Sequence, residues 1–542
     1  MKIHRSLAWC LLVVIGAGAL PLVAPMATTV AAEEKSDKKD DKSANEKGDA
    51  KKDEKDKKDG KEDEEDKVVA TEHMATIQGQ ELKYTATAGK LVMKSDDGKT
   101  KAHIFFIAYT KNGVGDLGKR PITFAFNGGP GSSSVWLHLG MLGPKRVKLP
   151  DDAAPLAPPY ELTNNPHSLL DITDLVFIDP VSTGFSRPAE GEDKGQFHGY
   201  QQDLESVGQF IHEYLSKYGR WRSPKFLIGE SYGGLRAAGL SGYLLDRYNI
   251  ALSGIAMISP AINFNTIAFN SGNDLPNLLF LPSYTATAWY HKALPGDLQA
   301  LPLAEVYRQA VEFANGEYAL ALMKGNALSD AERSAVAEKL ARLTGLSKEY
   351  VAGAKLRIPT WRFAKELLRG RSRTVGRYDS RYTGIDADDA GETSEYDPSE
   401  SAIFGPFTAT INDYLRNELK FEDDRVYEIL TGNVQPWKYD RFGFGPPDAS
   451  DTLRQAMAEV PFMKLFVAEG YYDLATPPPT NDYSVSHMRL PAELRPNVTV
   501  RMYEGGHMMY IYEPSMVQLR KDLAEFYESA LSAKPAGEAK DG

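Results

Sequence analysis

Lys225-Phe226-Leu227-Ile228-Gly229-Glu230-Ser231-Tyr232-Gly233-Gly234 is the stretch on which the reading of this 542-residue chain turns. A short apolar run leads into Gly-x-Ser-x-Gly, and Leu235, Ala238, Gly239, Gly242 and Leu245 then recur as a close-packing helical face. Strand, tight turn and helix form the layout that lifts a serine hydroxyl above the end of a sheet. A serine on so sharp a turn needs glycine on both flanks, because a β-carbon there collides with neighbouring backbone. Gly229 and Gly233 meet that demand. The motif alone also describes an ordinary glycine-rich turn, so in a chain with 46 glycines it needs partners before it means chemistry.

A serine hydroxyl is a weak nucleophile until a base takes its proton, and that base must be held in one tautomer by a third group. Asp473 follows the apolar run Lys464-Leu465-Phe466-Val467-Ala468, and His507 follows Val498 to Tyr503 after Gly505-Gly506. Each therefore falls at the C-terminal end of an expected strand, where an open α/β sheet gathers its functional groups. Each alone reads as a loop residue. Together with Ser231 they stand in the order Ser, Asp, His, that of the α/β-hydrolases. Asn127-Gly128-Gly129-Pro130-Gly131-Ser132-Ser133-Ser134 follows the run Ile122 to Phe126 directly. Its glycines leave backbone N–H groups free to face a ligand, and the amides of Gly129 and Tyr232 form the expected oxyanion pair. A phosphate loop is disfavoured, since the Walker lysine is missing and Pro130 removes a donor. None of the ten histidines forms an HxxxH or HxH pair, so a zinc site is not implied, and hydrolysis by a serine triad needs no cofactor.

Four blocks together resemble the serine carboxypeptidase family: NGGPGSSS, DPVSTGFS (Asp179 to Ser186), GESYGG and GGHM (Gly505 to Met508). The likeness runs from about His103 to Phe264 and again from about Pro461 to Tyr512. It implies an α/β-hydrolase sheet with a helical insertion shaping the pocket, and removal of C-terminal residues from peptides. It also implies that Ser231 is the nucleophile, that Asp473 and His507 complete the triad, and that Asn127 and Glu230 bind the terminal carboxylate of the substrate. A protonated Glu230 can donate a hydrogen bond to that carboxylate, whereas an ionised one repels it. The chain departs from the family pattern at Ala125, where a tryptophan is usual, at Met141, where a glutamate is usual, and at Ser132, where a cysteine is usual. Two other readings stand beside this one: a hydrolase of the same fold acting on esters or other peptide ends, and a non-catalytic envelope binding protein.

A net charge of −11 argues against a nucleic-acid-binding surface. Lys2, His4 and Arg5 precede the apolar run Leu7 to Leu22, and small residues lead up to Ala32, the layout of a cleaved export signal over 1–32. Gly16, Gly18 and Pro21 interrupt the run and leave it short for a membrane span. Cys10 is the sole cysteine, so the processed chain has no thiol, and disulfides and cysteine catalysis are excluded. Export without disulfides suits a bacterial envelope protein large enough to rely on its core, in the periplasm or outside the cell. Residues 33–67 are almost wholly Lys, Asp and Glu and are expected to form a solvated tether.

Early alternating strands, later continuous apolar runs and intervening helical patterns argue for a mostly parallel α/β sheet. The expected core spans 68–280 and 439–530, with a disordered tail over 531–542. Between them, 281–438 is expected to be a largely helical insertion or cap, with helices at Leu303 to Phe313, Asp330 to Leu343, Thr360 to Leu368 and Ile411 to Glu418. Asp386 to Glu400 is expected to be an exposed acidic loop.

Overall fold

The computed structural model describes residues 65–443 and 445–532. The export signal, the tether up to residue 64 and the tail beyond residue 532 lie outside the described residues.

Nine strands run through the sheet in chain order: β1 (Lys67–Ile77), β2 (Gln80–Lys94), β3 (Thr100–Lys111), β4 (Ile122–Phe126), β5 (Asp174–Ile178), β6 (Lys225–Glu230), β7 (Gly254–Ile258), β8 (Lys464–Gly470) and β9 (Val498–Tyr503). Their spatial order is β1-β2-β3-β5-β4-β6-β7-β8-β9, and the short strand Arg187–Pro188 also pairs with β3. The first three strands and the β3–β5 pair are antiparallel, while every pairing from β5 to β9 is parallel.

Burial on both faces explains the continuous apolar runs. Along β3, Phe105, Ile107 and Tyr109 enter one core, while Ile104, Phe106 and Ala108 enter the core on the opposite face. Phe226 and Ile228 of β6 point into the first core and Leu227 into the second. A strand read from both sides has no polar alternation to show. Helices α1 (Tyr200–Lys217) and α2 (Tyr232–Tyr248) supply the second core through Leu204, Val207, Leu235, Leu240 and Leu244.

A third apolar core belongs to the helices between β7 and β8. It holds α3 (Leu275–Tyr290), α4 (Leu303–Phe313), α5 (Asp330–Thr344) and α6 (Thr360–Glu366), which bury Phe280, Val306, Leu340 and Phe363. The first of these begins before residue 281, so one helix crosses the expected edge of the insertion. Helix α7 (Pro398–Asp413) starts inside the segment expected to be a loop. Asp397 caps it by accepting from the amides of Ser399 and Glu400, and Pro398 fits a first turn that needs no N–H. The loop reading of Pro398 to Glu400 is thus corrected. Lys67 likewise opens β1, and α10 (Glu513–Ser532), which follows α8 (Ser450–Glu459) and α9 (Pro478–His487), carries Leu531 and Ser532 within a helix.

Candidate active site

Ser231 stands between β6 and α2 with φ +61° and ψ −126°, a conformation that costs a non-glycine residue about 1–3 kcal/mol and must be enforced by its surroundings. The enforcement is visible in the backbone. The Ser231 amide donates to the Ile258 carbonyl at 3.0 Å, and its carbonyl accepts from Gly234 at 2.8 Å and from Ala261 at 2.9 Å. A β-carbon on Gly229 would lie 2.2 Å from the Gly233 carbonyl oxygen, so the turn closes only with glycine there.

Asp473 and His507 meet at the ends of β8 and β9. His507 Nδ1 lies 2.8 Å from Asp473 Oδ2, and both side chains are buried. Asp473 Oδ1 accepts from the amides of Ala475 at 2.7 Å and Thr476 at 2.9 Å. The Thr476 hydroxyl lies 2.9 Å from Asp473 Oδ2 and 2.8 Å from the Ser259 carbonyl oxygen, which ties the acid loop to the strand end beside Ser231. Burial opposes ionisation of Asp473, but His507 and the two amides hold its carboxyl below the ordinary value. Burial likewise opposes the imidazolium of His507, and the Asp473 carboxylate overcomes it, so the histidine stays above its usual pKa. Its Nε2 is buried without a hydrogen-bond partner, so it makes no hydrogen bond to the Ser231 hydroxyl.

A three-residue segment of the insertion clamps both loops. The Arg377 carbonyl accepts from the Leu474 amide at 3.0 Å, the Tyr378 carbonyl accepts from the His507 amide at 2.5 Å, and Asp379 Oδ2 accepts from the Gly506 amide at 3.2 Å. The Tyr378 ring also packs against the imidazole, 5.3 Å between centroids.

The Asn127–Gly131 loop presses on the start of α2. A β-carbon on Gly128 would sit 2.5 Å from the Tyr232 amide nitrogen. Among the described residues, no backbone carbonyl takes the amides of Gly129 or Tyr232. Amides left without a carbonyl partner are the kind of donor an oxyanion can use.

Glu230, next to the serine, is buried, and burial pushes its pKa up to about 7 against the opposing pull of His507. The Tyr510 hydroxyl donates to Glu230 Oε2 at 2.6 Å. Asn127 lies close enough for its side chain to pull the Glu230 pKa down; its Oδ1 accepts from the Leu137 amide at 3.0 Å, and its Nδ2 is buried. A carboxyl that keeps its proton below about pH 7, beside an amide donor, is suited to hold a carboxylate. Sequence reasoning missed Thr476, Tyr510 and Tyr378. Thr476 carried a local signal, three residues beyond Asp473 at a strand end, but the Tyr510–Glu230 contact spans 280 positions and leaves none. Ala125 and Met141 are both buried apolar residues.

Among the described residues no cluster of three or more His, Cys, Asp or Glu is placed to hold a metal, and no helix is long and apolar enough to cross a membrane.

Residues 79–299 match the serine carboxypeptidase family. That match contains the serine elbow and the glycine-rich loop. Over 159 residues the chain is 31% identical to the pheromone-processing carboxypeptidase KEX1 of Saccharomyces cerevisiae, covering 27% of this chain and 20% of that protein. Serine carboxypeptidase-like 36 of Arabidopsis thaliana is 30% identical over 151 residues, 26% of this chain and 29% of the plant protein. These alignments span between a fifth and a third of the length of both relatives. The crystal structure of the prohormone-processing carboxypeptidase Kex1(delta)p from Saccharomyces cerevisiae superposes with a TM-score of 0.51 at 17% identity, covering 82% of this chain and 91% of that one. The fold is that of an α/β-hydrolase.

Proposed function

We propose that the protein is a serine-type peptidase that releases C-terminal residues from peptides through an acyl-enzyme. The observation that carries the reading is the buried Asp473–His507 pair with an unpartnered Nε2, at the same C-terminal end of the parallel strands as a serine in a strained elbow. His507 Nε2 takes the Ser231 proton as Oγ attacks the scissile carbonyl carbon. The carbonyl oxygen becomes an oxyanion and accepts from Gly129 and Tyr232. The imidazolium, stabilised by Asp473, then protonates the leaving amine. Water gives its proton to the same nitrogen as its oxygen adds to the acyl carbon, and the imidazolium returns that proton to Ser231 Oγ as the acyl–oxygen bond breaks.

Asn127 and protonated Glu230 receive the substrate's terminal carboxylate, and this contact makes the enzyme an exopeptidase. The core runs over 67–274 and 439–532 and the insertion over 275–438, with the helix that opens at Leu275 counted with the insertion whose core it joins. The export-signal pattern ending at Ala32 supports an exported protein, and the lack of cysteine after it supports a bacterial one, in the periplasm or outside the cell.

Buried apolar Ala125 and Met141 favour a second reading, in which the same triad cleaves esters or other peptide ends. A mass-spectrometric digest of paired peptides, one with a free C-terminal carboxylate and one amidated, separates the two. Loss of single residues from the free acid only is the expected result. Equal cleavage of the amide refutes terminal-carboxylate recognition, and an unprocessed library together with no labelling of Ser231 by a fluorophosphonate refutes the hydrolase.

A further inference from the structure

Arg236 and Asp203 form an ion pair in which both side chains are about 1% exposed. Arg236 lies one helical turn beyond Tyr232 on α2, and Asp203 lies in the first turn of α1. Burying two charges costs several kilocalories of desolvation, and apolar residues of similar volume commonly stabilise a core as well or better. Stability alone is therefore a weak reason for this pair.

Its contacts give a better one. Arg236 Nε donates to Asp203 Oδ2 at 2.7 Å, and Nη1 donates to the carbonyl oxygen of Asn127 at 2.5 Å. The Tyr232 hydroxyl lies 3.2 Å from the same Asp203 oxygen. The guanidinium sits 5.2 Å from the ring centroids of both Phe126 and Tyr232, so it packs against both the last residue of the strand that launches the glycine-rich loop and the residue that follows Ser231. The two expected oxyanion donors come from separate chain segments, Gly129 from that loop and Tyr232 from the helix start. One guanidinium reaches both: it grips the loop by the Asn127 carbonyl, and it shares a carboxylate with the Tyr232 side chain.

We propose that Arg236, oriented by Asp203, is a positioning residue that fixes the spacing of the Gly129 and Tyr232 amides. The inference rests on the serine hydrolase reading. It makes the buried pair part of transition-state stabilisation, acting through the loop and not through substrate. Lysine at 236 would keep the charge beside Asp203 but has no planar fork with which to hold Asn127 as well. Removing an oxyanion donor outright costs about 10²–10³ in kcat, so displacing one should cost about ten- to a hundredfold.

The test uses the full-length protein and a small aryl ester, whose acyl transfer needs the oxyanion donors and no terminal carboxylate. For Arg236→Lys the expected result is a ten- to hundredfold fall in kcat, with KM within about twofold. Affinity for a peptidyl boronate should fall by the same factor as kcat, and affinity for a product peptide should hold. A folded variant with wild-type kcat overturns the inference, as does equal loss of boronate and product affinity, which marks general damage. If Arg236→Lys does not fold, Asp203→Asn carries the same comparison: a fall in kcat matched by boronate alone supports the inference, and an unchanged kcat overturns it. A wild-type protein that neither turns over the ester nor labels at Ser231 overturns the hydrolase reading and this inference together. Turnover and labelling in the wild type with no effect of either variant overturn this inference alone.

Discussion

Ionisation of Glu230 should set the pH range in which the enzyme holds a free peptide carboxylate. With burial pushing its pKa up to about 7, the side chain is almost wholly protonated at pH 5 and about one-eleventh protonated at pH 8. If only the protonated form accepts the substrate carboxylate, apparent affinity scales with that fraction. KM for a blocked dipeptide with a free C-terminus should then rise about elevenfold from pH 5 to pH 8, equivalent to about 1.4 kcal/mol. The C-terminal amide should show no such rise. Glu230→Gln, neutral throughout, should flatten the profile for the free acid. His507 acts in the opposite direction on the chemical step. Its pKa is raised, so its neutral, proton-accepting form gains as pH climbs above the ordinary histidine range, and kcat should rise where binding weakens. The same shift at Glu230 enters folding stability. A carboxyl with a raised folded-state pKa contributes fully below its unfolded pKa and loses that contribution as pH rises through about 7. Steady-state kinetics from pH 5 to pH 8 on the paired substrates decides the matter. A wild-type KM that is flat across the range, or that rises equally for the amide, refutes the assignment of Glu230.

Asp473→Asn should keep the fold and lose about 10⁴ in kcat, because the amide cannot hold His507 in the required tautomer; a loss below tenfold in single-turnover hydrolysis counts against the triad. Gly128→Ala forces a β-carbon to within 2.5 Å of the Tyr232 amide and 2.7 Å of the Gly233 amide, so kcat should drop about 10²–10³ as the oxyanion donors part, measured on an ester substrate. Asp174 is buried and accepts from Arg120 Nε at 3.1 Å, Arg220 Nη1 at 2.6 Å and the Lys111 amide at 3.0 Å; Asp174→Ala strands two guanidinium groups and should cost about 3–5 kcal/mol in urea unfolding, with a change under about 1 kcal/mol refuting the account.

Local signals carried much of this far. The runs Ile122 to Phe126, Phe226 to Ile228 and Ile255 to Ile258 are strands because both faces are covered, and that burial is written into sequence as unbroken apolar character. Helix α4 was legible at both ends because its apolar residues recur at helical spacing on one buried face. Helix α7 was obscured by Gly405 and Pro406 in its interior and by the acidic residues before it. Asp473 and His507 could be placed at strand ends, and the structure joins their side chains. What sequence could not show was contact across distance: Tyr510 with Glu230, Tyr378 with His507, Arg236 with Asn127. Each depends on how separate segments pack, and no periodicity records it.

The clamp formed by Arg377, Tyr378 and Asp379 means that the insertion is not a detachable lid over a finished catalytic apparatus. Its backbone carbonyls and one carboxylate are structural members of the loops that carry the acid and the base. Any displacement of that segment when a peptide enters is transmitted to His507 through the hydrogen bonds of Tyr378 and Asp379 to its loop and through the Tyr378 ring packed against the imidazole. Grafting a foreign insertion onto this sheet to change side-chain preference would therefore also move Asp473 and His507, unless those three positions travelled with the host.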